Sequence, residues 1–164
     1  MKTSLINAIL ILAVLSLSLT SCKTNRRPFI GEYTYQTSGS LSIGLATEDI
    51  DVPITDRMGQ MQIMKGDEKG KITIIKASIT GEIKQLTGSI SGDEITIDEY
   101  TYEKEIKTDS INGKAKLNYT AKGRLRDNTI VLEDNYSGFY RESKTGIVGT
   151  IRGNNVLTLI KKND

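Results

Sequence analysis

Gly88-Ser89-Ile90-Ser91-Gly92-Asp93-Glu94-Ile95 occurs again in outline as Gly123-Arg124-Leu125-Arg126-Asp127-Asn128-Thr129-Ile130. A third version is Gly149-Thr150-Ile151-Arg152-Gly153-Asn154-Asn155-Val156. Each copy has a glycine, an aliphatic residue two places on, a pair drawn from Gly, Asp and Asn, and a second aliphatic residue. Pairs of that composition reach positive φ at low cost and close tight two-residue hairpins. Three hairpins predict strands near 79–91, 94–107, 114–126, 129–140, 146–152 and 156–162. The spacing is too irregular for a solenoid. It is the spacing of a meander, in which neighbours in sequence pair in space.

Alternation within these strands assigns their faces. Ala115, Leu117, Tyr119, Ala121, Gly123 and Leu125 fall on one side, and Lys114, Lys116, Asn118, Thr120, Lys122 and Arg124 on the other. That strand has one dry face and one wet face. In the strand before it, Ile95 and Ile97 share a parity that Tyr100, Tyr102 and Ile106 do not. A one-residue slip near Asp98-Glu99 accounts for the change, most simply a β-bulge, and bulges help a sheet to curl.

Towards the N-terminus, residues 29–37 alternate and read as a strand. Gly39-Ser40 is a turn or bulge, and Leu41-Ser42-Ile43 continues the strand. Residues 46–59 contain Pro53 and mixed charge, and read as a long loop able to act as a lid. Met61 to Lys65 and Lys71 to Lys76 are strands around the turn Gly66-Asp67-Glu68-Lys69-Gly70. No mature segment of ten residues shows a 3.6-residue period. The expectation is an all-β domain of about 8–10 strands, an antiparallel up-and-down meander. Its edges are best removed by closure into a barrel.

At this point the chain resembles the small bacterial lipocalin-like (calycin-type) proteins. Gly31-Glu32-Tyr33 on the first strand is similar to the lipocalin Gly-x-Trp motif, with Tyr in place of Trp. The resemblance makes Arg152, on a late strand, the arginine that often packs over that aromatic. Gly31 to Gly44 is also similar to the opening strand of avidins. The resemblance implies a lipocalin-like barrel with a ligand in its mouth. The absence of Trp from the chain argues against biotin as that ligand.

The N-terminus supplies an address. Lys2 precedes a run from Leu5 to Leu19 of almost wholly Leu, Ile, Ala, Val and Ser. The run is shorter than the ~20 residues of a comfortable membrane span, and it has the layout of a signal peptide, expected as a helix. Leu19-Thr20-Ser21-Cys22 follows, with the only cysteine of the chain. It looks like the lipobox of a bacterial lipoprotein. The resemblance implies cleavage before Cys22, a diacylglycerol on its sulfur, and an acyl chain such as palmitate on the new amino terminus. Two or three buried chains at about 0.8 kcal/mol per methylene give a lasting anchor. Lys23, in place of the Asp that retains lipoproteins in the inner membrane, points to the outer membrane. The expected organisation is a signal peptide over 1–21, a lipidated cysteine and short basic tether over 22–28, and a barrel domain over 29–164.

Composition narrows the function. The formal charge is +2 with both signs interspersed, and the mature domain stays near zero. This is not the basic stripe of a nucleic-acid-binding protein. The chain has no histidine, which removes the commonest general base and the commonest metal ligand together. With Cys22 lipidated, no thiol remains for a disulfide or a metal. Serine-nucleophile, Walker and dinucleotide fingerprints are absent. Glu48, Asp49, Asp51 and Asp56 form either a solvated acidic loop or a loose cation site without the spacing of an EF-hand. Glu94, Asp98, Glu99, Glu103 and Glu105 serve glycoside chemistry only if two of them face each other across a cleft.

The expectation is therefore a binding protein rather than an enzyme, with no cofactor and no metal. Tyr100, Tyr102, Tyr119 and Tyr136 fall in central strands. Inside a barrel they offer apolar rings and polar tips to a small apolar or amphipathic ligand. The alternative is a barrel filled by its own Ile and Leu, whose outer surface binds an envelope protein or polysaccharide. Cavity volume separates the two.

Overall fold

The computed structural model describes residues 26–54 and 57–162. The signal segment, Cys22 and Asp56 lie outside those residues. The described chain is all-β apart from one 3-10 turn at Arg27–Phe29. Ten strands follow: β1 (Gly31–Ser38), β2 (Ser40–Gly44), β3 (Asp49–Pro53), β4 (Met58–Lys65), β5 (Lys71–Ser78), β6 (Ile83–Ser91), β7 (Glu94–Lys107), β8 (Asn112–Arg126), β9 (Thr129–Glu142) and β10 (Val148–Lys161). They form one antiparallel sheet in the order β1-β4-β5-β6-β7-β8-β9-β10-β2-β3, and β1 also pairs with β10. The meander thus closes into an eight-stranded barrel. β2 continues β1 past a kink at Gly39, and β3 continues β4, so that both pairs act as long interrupted staves.

Gly39 makes the kink possible. Its φ is +130°, and a Cβ there would lie 1.8 Å from the Asn155 Oδ1 atom. β10 passes the same point, where its partner changes from β1 to β2 between Val156 and Arg152.

Two of the three repeats close hairpins as expected. Gly92 (φ 64°) and Asp127 (φ 54°) each take the first position of a two-residue turn. These turns join Ser91 to Glu94 and Arg126 to Thr129. The third repeat does not close a hairpin. β10 runs straight through Gly153-Asn154, paired with β9 from Val148↔Arg141 to Ile160↔Thr129. The physical reason is that β9 offers a full-length partner. Gly153 is there for close approach, since a Cβ would meet the Leu41 side chain at 2.6 Å. The chain reverses earlier, at 143–147. There Gly146 takes φ 73° and the Glu142 carboxylate accepts the N–H groups of Lys144 and Thr145.

The expected loop over 46–59 is corrected as well. Residues Asp49–Pro53 are a strand, with Val52 buried and Asp49 and Asp51 exposed. Pro53 is tolerated because β3 pairs only with β2, leaving its other edge without a ladder to feed. Among the described residues of that stretch, only 46–48, Ile54 and Arg57 lie outside strands.

The core has three levels along the barrel axis. Ile63, Ile72, Ile74, Ile95, Ile97, Ile130, Leu132 and Leu159 fill the end where β1 begins. The 3-10 turn caps that end with a buried Phe29, whose carbonyl accepts the Tyr33 hydroxyl at 2.8 Å. Ile43, Ile111, Ala115, Tyr140 and Ile151 fill the other end. Between them lies a belt of polar and aromatic side chains.

Candidate functional site: a cavity beside an incomplete seam

The belt is reached through a defect in the sheet. β6 and β7 pair only from Gly88↔Ile97 to Ser91↔Glu94. Beyond Ile97 the register of β7 against β8 slips by a bulge before resuming at Tyr100↔Tyr119. From there β7 continues to Lys107 with β8 alone. Asp98, at the bulge, fastens the point of departure. Its carboxylate accepts the Thr87 hydroxyl at 3.0 Å and faces the Lys71 ammonium at 3.4 Å. The second half of β7 and the outer edge of β3 are thus two strand edges without a partner among the described residues.

A cavity of about 240 Å³ lies between those edges. Leu41, Val52, Ile54, Ile106 and Leu117 give it apolar walls, and Tyr102, Lys104 and Tyr136 give it polar ones. Ligand pockets for drug-sized molecules run to about 300–1,000 Å³. This one fits a smaller molecule, or one end of a longer molecule that continues into the seam. A second space of about 10 Å³, room for one water, adjoins it and shares Tyr102 and Tyr136.

The bulge determines which residues reach this place. It turns Tyr100, Tyr102, Lys104 and Ile106 inward, where the unslipped register would have sent them out. Tyr100 stacks on Tyr102 with ring centroids 5.6 Å apart, and Tyr119 lies 5.0 Å from Tyr136. All four tyrosines singled out from the sequence line the smaller space. The Tyr119 hydroxyl donates to Asp134 Oδ1 at 2.9 Å, and Asp134 is wholly buried.

Inward charges complete the belt, and sequence reasoning missed them. Lys76 is buried, with its ammonium 4.7 Å from the Tyr35 ring centroid. The Lys84 ammonium sits 4.2 Å from the Tyr102 ring centroid and 3.1 Å from the Glu82 carboxylate. Such cation–π contacts contribute roughly 0.5–2 kcal/mol, more as water is excluded. The available signal was parity. Lys76 follows Ile72 and Ile74, Lys84 precedes Leu86, and Asp134 follows Ile130 and Leu132, each on the inward register.

The remaining candidates lie elsewhere. Gly31 and Tyr33 stand at the start of β1, with Tyr33 buried under the 3-10 turn. Burial pushes its hydroxyl up to about 12. Arg152 is not brought to it: Arg152 is exposed on the outer face opposite Ser42 and Ser137, and Tyr33 pairs across β10 with Lys161. Odd and even positions of β10 face opposite ways, so an exposed Arg152 cannot cover an inward ring. Glu99, Glu103 and Glu105 are exposed, Glu94 pairs with Lys122 at 3.0 Å, and Asp98 is held at the bulge. No two of them face each other across the cavity. Among the described residues, no three His, Cys, Asp or Glu side chains gather as a cation site needs.

No protein-family model matches the chain, and no curated protein matches it.

Proposed function

We propose that the protein is a lipid-anchored, lipocalin-like binding protein of the bacterial cell envelope, tethered to the outer membrane through Cys22. On this reading its barrel holds a small apolar or amphipathic molecule. The observation that carries the binding role is an apolar cavity beside an incomplete seam, walled in part by Tyr102 and Tyr136, which with Tyr100 and Tyr119 also line the small space adjoining it. A core built only for stability has no use for a buried lysine, Lys76, and a buried carboxylate, Asp134, at mid-barrel, because each carries a desolvation cost. Binding rather than catalysis is favoured by the outward placement of Glu99, Glu103 and Glu105, which leaves no pair of them facing across the cavity. The lipocalin-like closed meander with Gly31 and Tyr33 on its first strand supports the class, and the Leu19-Thr20-Ser21-Cys22 sequence supports the anchor.

One observation favours the alternative, an outer surface that binds an envelope protein or polysaccharide. Phe139 is 63% exposed, beside exposed Ile147 and Val148. Few large aromatics stand so far out of a β-sheet without a partner.

Two variants separate the components of the proposal. Cys22→Ser should abolish incorporation of alkyne-tagged palmitate and release the protein from membranes. Val52→Phe, which fills the cavity from its rim, should lower binding of a fluorescent apolar probe at least tenfold without altering the circular dichroism spectrum. Unchanged probe binding in a folded Val52→Phe protein would remove the cavity reading and leave the surface reading.

A further inference from the structure

The seam has the form of a place that strands have vacated. Eight strands surround the end of the barrel where β1 begins. At the other end β2 and β3 continue β1 and β4, and β7 to β10 run on, but β5 stops at Ser78 and β6 starts only at Ile83. Six strands remain there among the described residues. The cavity lies where that ring is broken, with Val52 and Ile54 on one flank and Ile106 on the other. Each flank is a strand edge, and such edges are where an extended chain adds as a further strand.

The ladders fix which backbone groups face the gap. In an antiparallel pair, hydrogen-bonded and non-bonded positions alternate. The Thr108 N–H donates to the Ile111 carbonyl at 2.8 Å, so steps of two along β7 turn the backbone groups of Ile106, Lys104, Tyr102 and Tyr100 to β8. Those of Thr101, Glu103, Glu105 and Lys107 turn to the seam. The Leu45 N–H donates to the Glu48 carbonyl at 2.8 Å, and the same count turns Asp49 and Asp51 to the seam from β3. Pro53 follows in that phase and has no N–H to leave unbonded. β7 offers the longer edge and keeps every donor.

Parity then dictates what an added strand carries. Its residues level with Tyr102, Lys104 and Ile106 point inward, to the apolar walls of Leu41, Val52, Ile106 and Leu117. Those level with Glu103 and Glu105 point outward. Exposed carboxylates stand on both flanks there, Asp49 and Asp51 on β3 and Glu103 and Glu105 on β7. None of the four has a cation at ion-pair distance among the described residues. Lys116 and Lys114 are level with Glu103 and Glu105 on β8, the side away from the seam, and Lys107 follows at the end of β7.

We propose that the seam binds an extended peptide as an added strand on β7, with apolar side chains turned into the cavity and basic side chains alternating with them on the outer face. This rests on the binding role proposed above and specifies its ligand: an amphipathic molecule recognised through its backbone.

The probe is a capped pentapeptide of alternating leucine and lysine, leucine first, which sets its two lysines level with Glu103 and Glu105. It is titrated calorimetrically into the full chain held in nanodiscs of neutral phosphatidylcholine, with empty nanodiscs as the blank. Binding should slow hydrogen exchange at the amides of Glu103 and Glu105 at least tenfold. N-methylation of the two lysine amides, which face β7, should weaken binding at least tenfold, and N-methylation of the leucine amides less than threefold. The same peptide with glutamate for lysine should bind at least tenfold more weakly. Equal loss from both methylations, or unchanged exchange at Glu103 and Glu105 under saturating peptide, would overturn the added strand. A glutamate peptide bound as tightly as the lysine peptide would overturn the basic preference. No peptide binding, with a fluorescent apolar probe still bound, would overturn the peptide assignment and leave the binding role standing. Binding of neither would overturn both.

Discussion

Tyr33 shows how one residue's chemistry is set by its neighbours and how that can be read out. It lies at the start of β1, wholly buried, with its hydroxyl donated to the Phe29 carbonyl. Burial disfavours the phenolate and pushes its pKa up to about 12. A hydroxyl whose folded pKa lies above the unfolded value near 10 stabilises the fold fully below pH 10. The contribution is lost as pH rises from 10 to 12, by about 3 kcal/mol. Denaturant unfolding at pH 8, 10 and 11.5 should therefore show falling stability only across the last interval. Tyr33→Phe should make that fall shallower. Tyr140, whose hydroxyl is raised by burial and by Glu142, acts in the same direction. An unchanged slope in Tyr33→Phe would contradict the assignment.

At the same scale, the legible and illegible residues differ for a physical reason. The four tyrosines could be found because an aromatic at an inward parity is easy to notice. Lys76, Lys84 and Asp134 stand on the same inward register, but charge argues for solvent unless a cavity is already known. Arg152 does not take the place the resemblance implies, because its neighbour Ile151 is buried and adjacent strand positions face opposite ways.

Among the elements, β7 organises the site. Its first half, Glu94 to Ile97, closes the barrel against β6, and its second half, Tyr100 to Lys107, does not. The parity switch at Asp98-Glu99 was visible in the sequence because the hydrophobic alternation itself changes phase there. The end of the β6 ladder was not, since strand pairing beyond a bulge leaves no local mark. β3 was missed although Ile50, Val52 and Ile54 alternate with Asp49, Asp51 and Pro53. Five residues with a proline are too few to outweigh a loop-like composition, and an edge strand tolerates that composition. Gly153-Asn154 misled in the opposite sense: turn composition mid-strand marked the close approach of the kinked β1–β2 stave.

Hydrogen exchange checks this account of β7. Amides of Tyr100 to Lys107 that point away from β8 have no strand to bond. They should exchange orders of magnitude faster than those of Ile95 to Ile97. Uniform slow exchange along the whole of β7 would mean that the seam is closed in solution.

At the scale of the whole molecule, the meander followed from the repeated turns. An up-and-down order needs only local hairpins, and those are written in short stretches of Gly, Asp and Asn. The closing β1–β10 pairing joins the two ends of the described chain, and it could be expected only from the rule that exposed edges are avoided. The barrel is neither hollow nor solid. Aliphatic side chains close both ends, and a small cavity survives where the seam fails. That arrangement keeps the aliphatic core apart from the cavity proposed to receive a ligand.

The central claim is that this cavity is occupied in the cell. The most direct measurement is native mass spectrometry of the protein drawn from its own envelope in detergent-free nanodiscs. The account predicts a discrete added mass, a small apolar or amphipathic molecule beyond any lipid carried at the proposed anchor, that disappears in the folded Val52→Phe protein. A chain with the same mass before and after exposure to an envelope extract, and the same as that of the folded Val52→Phe protein apart from the substitution, would contradict it.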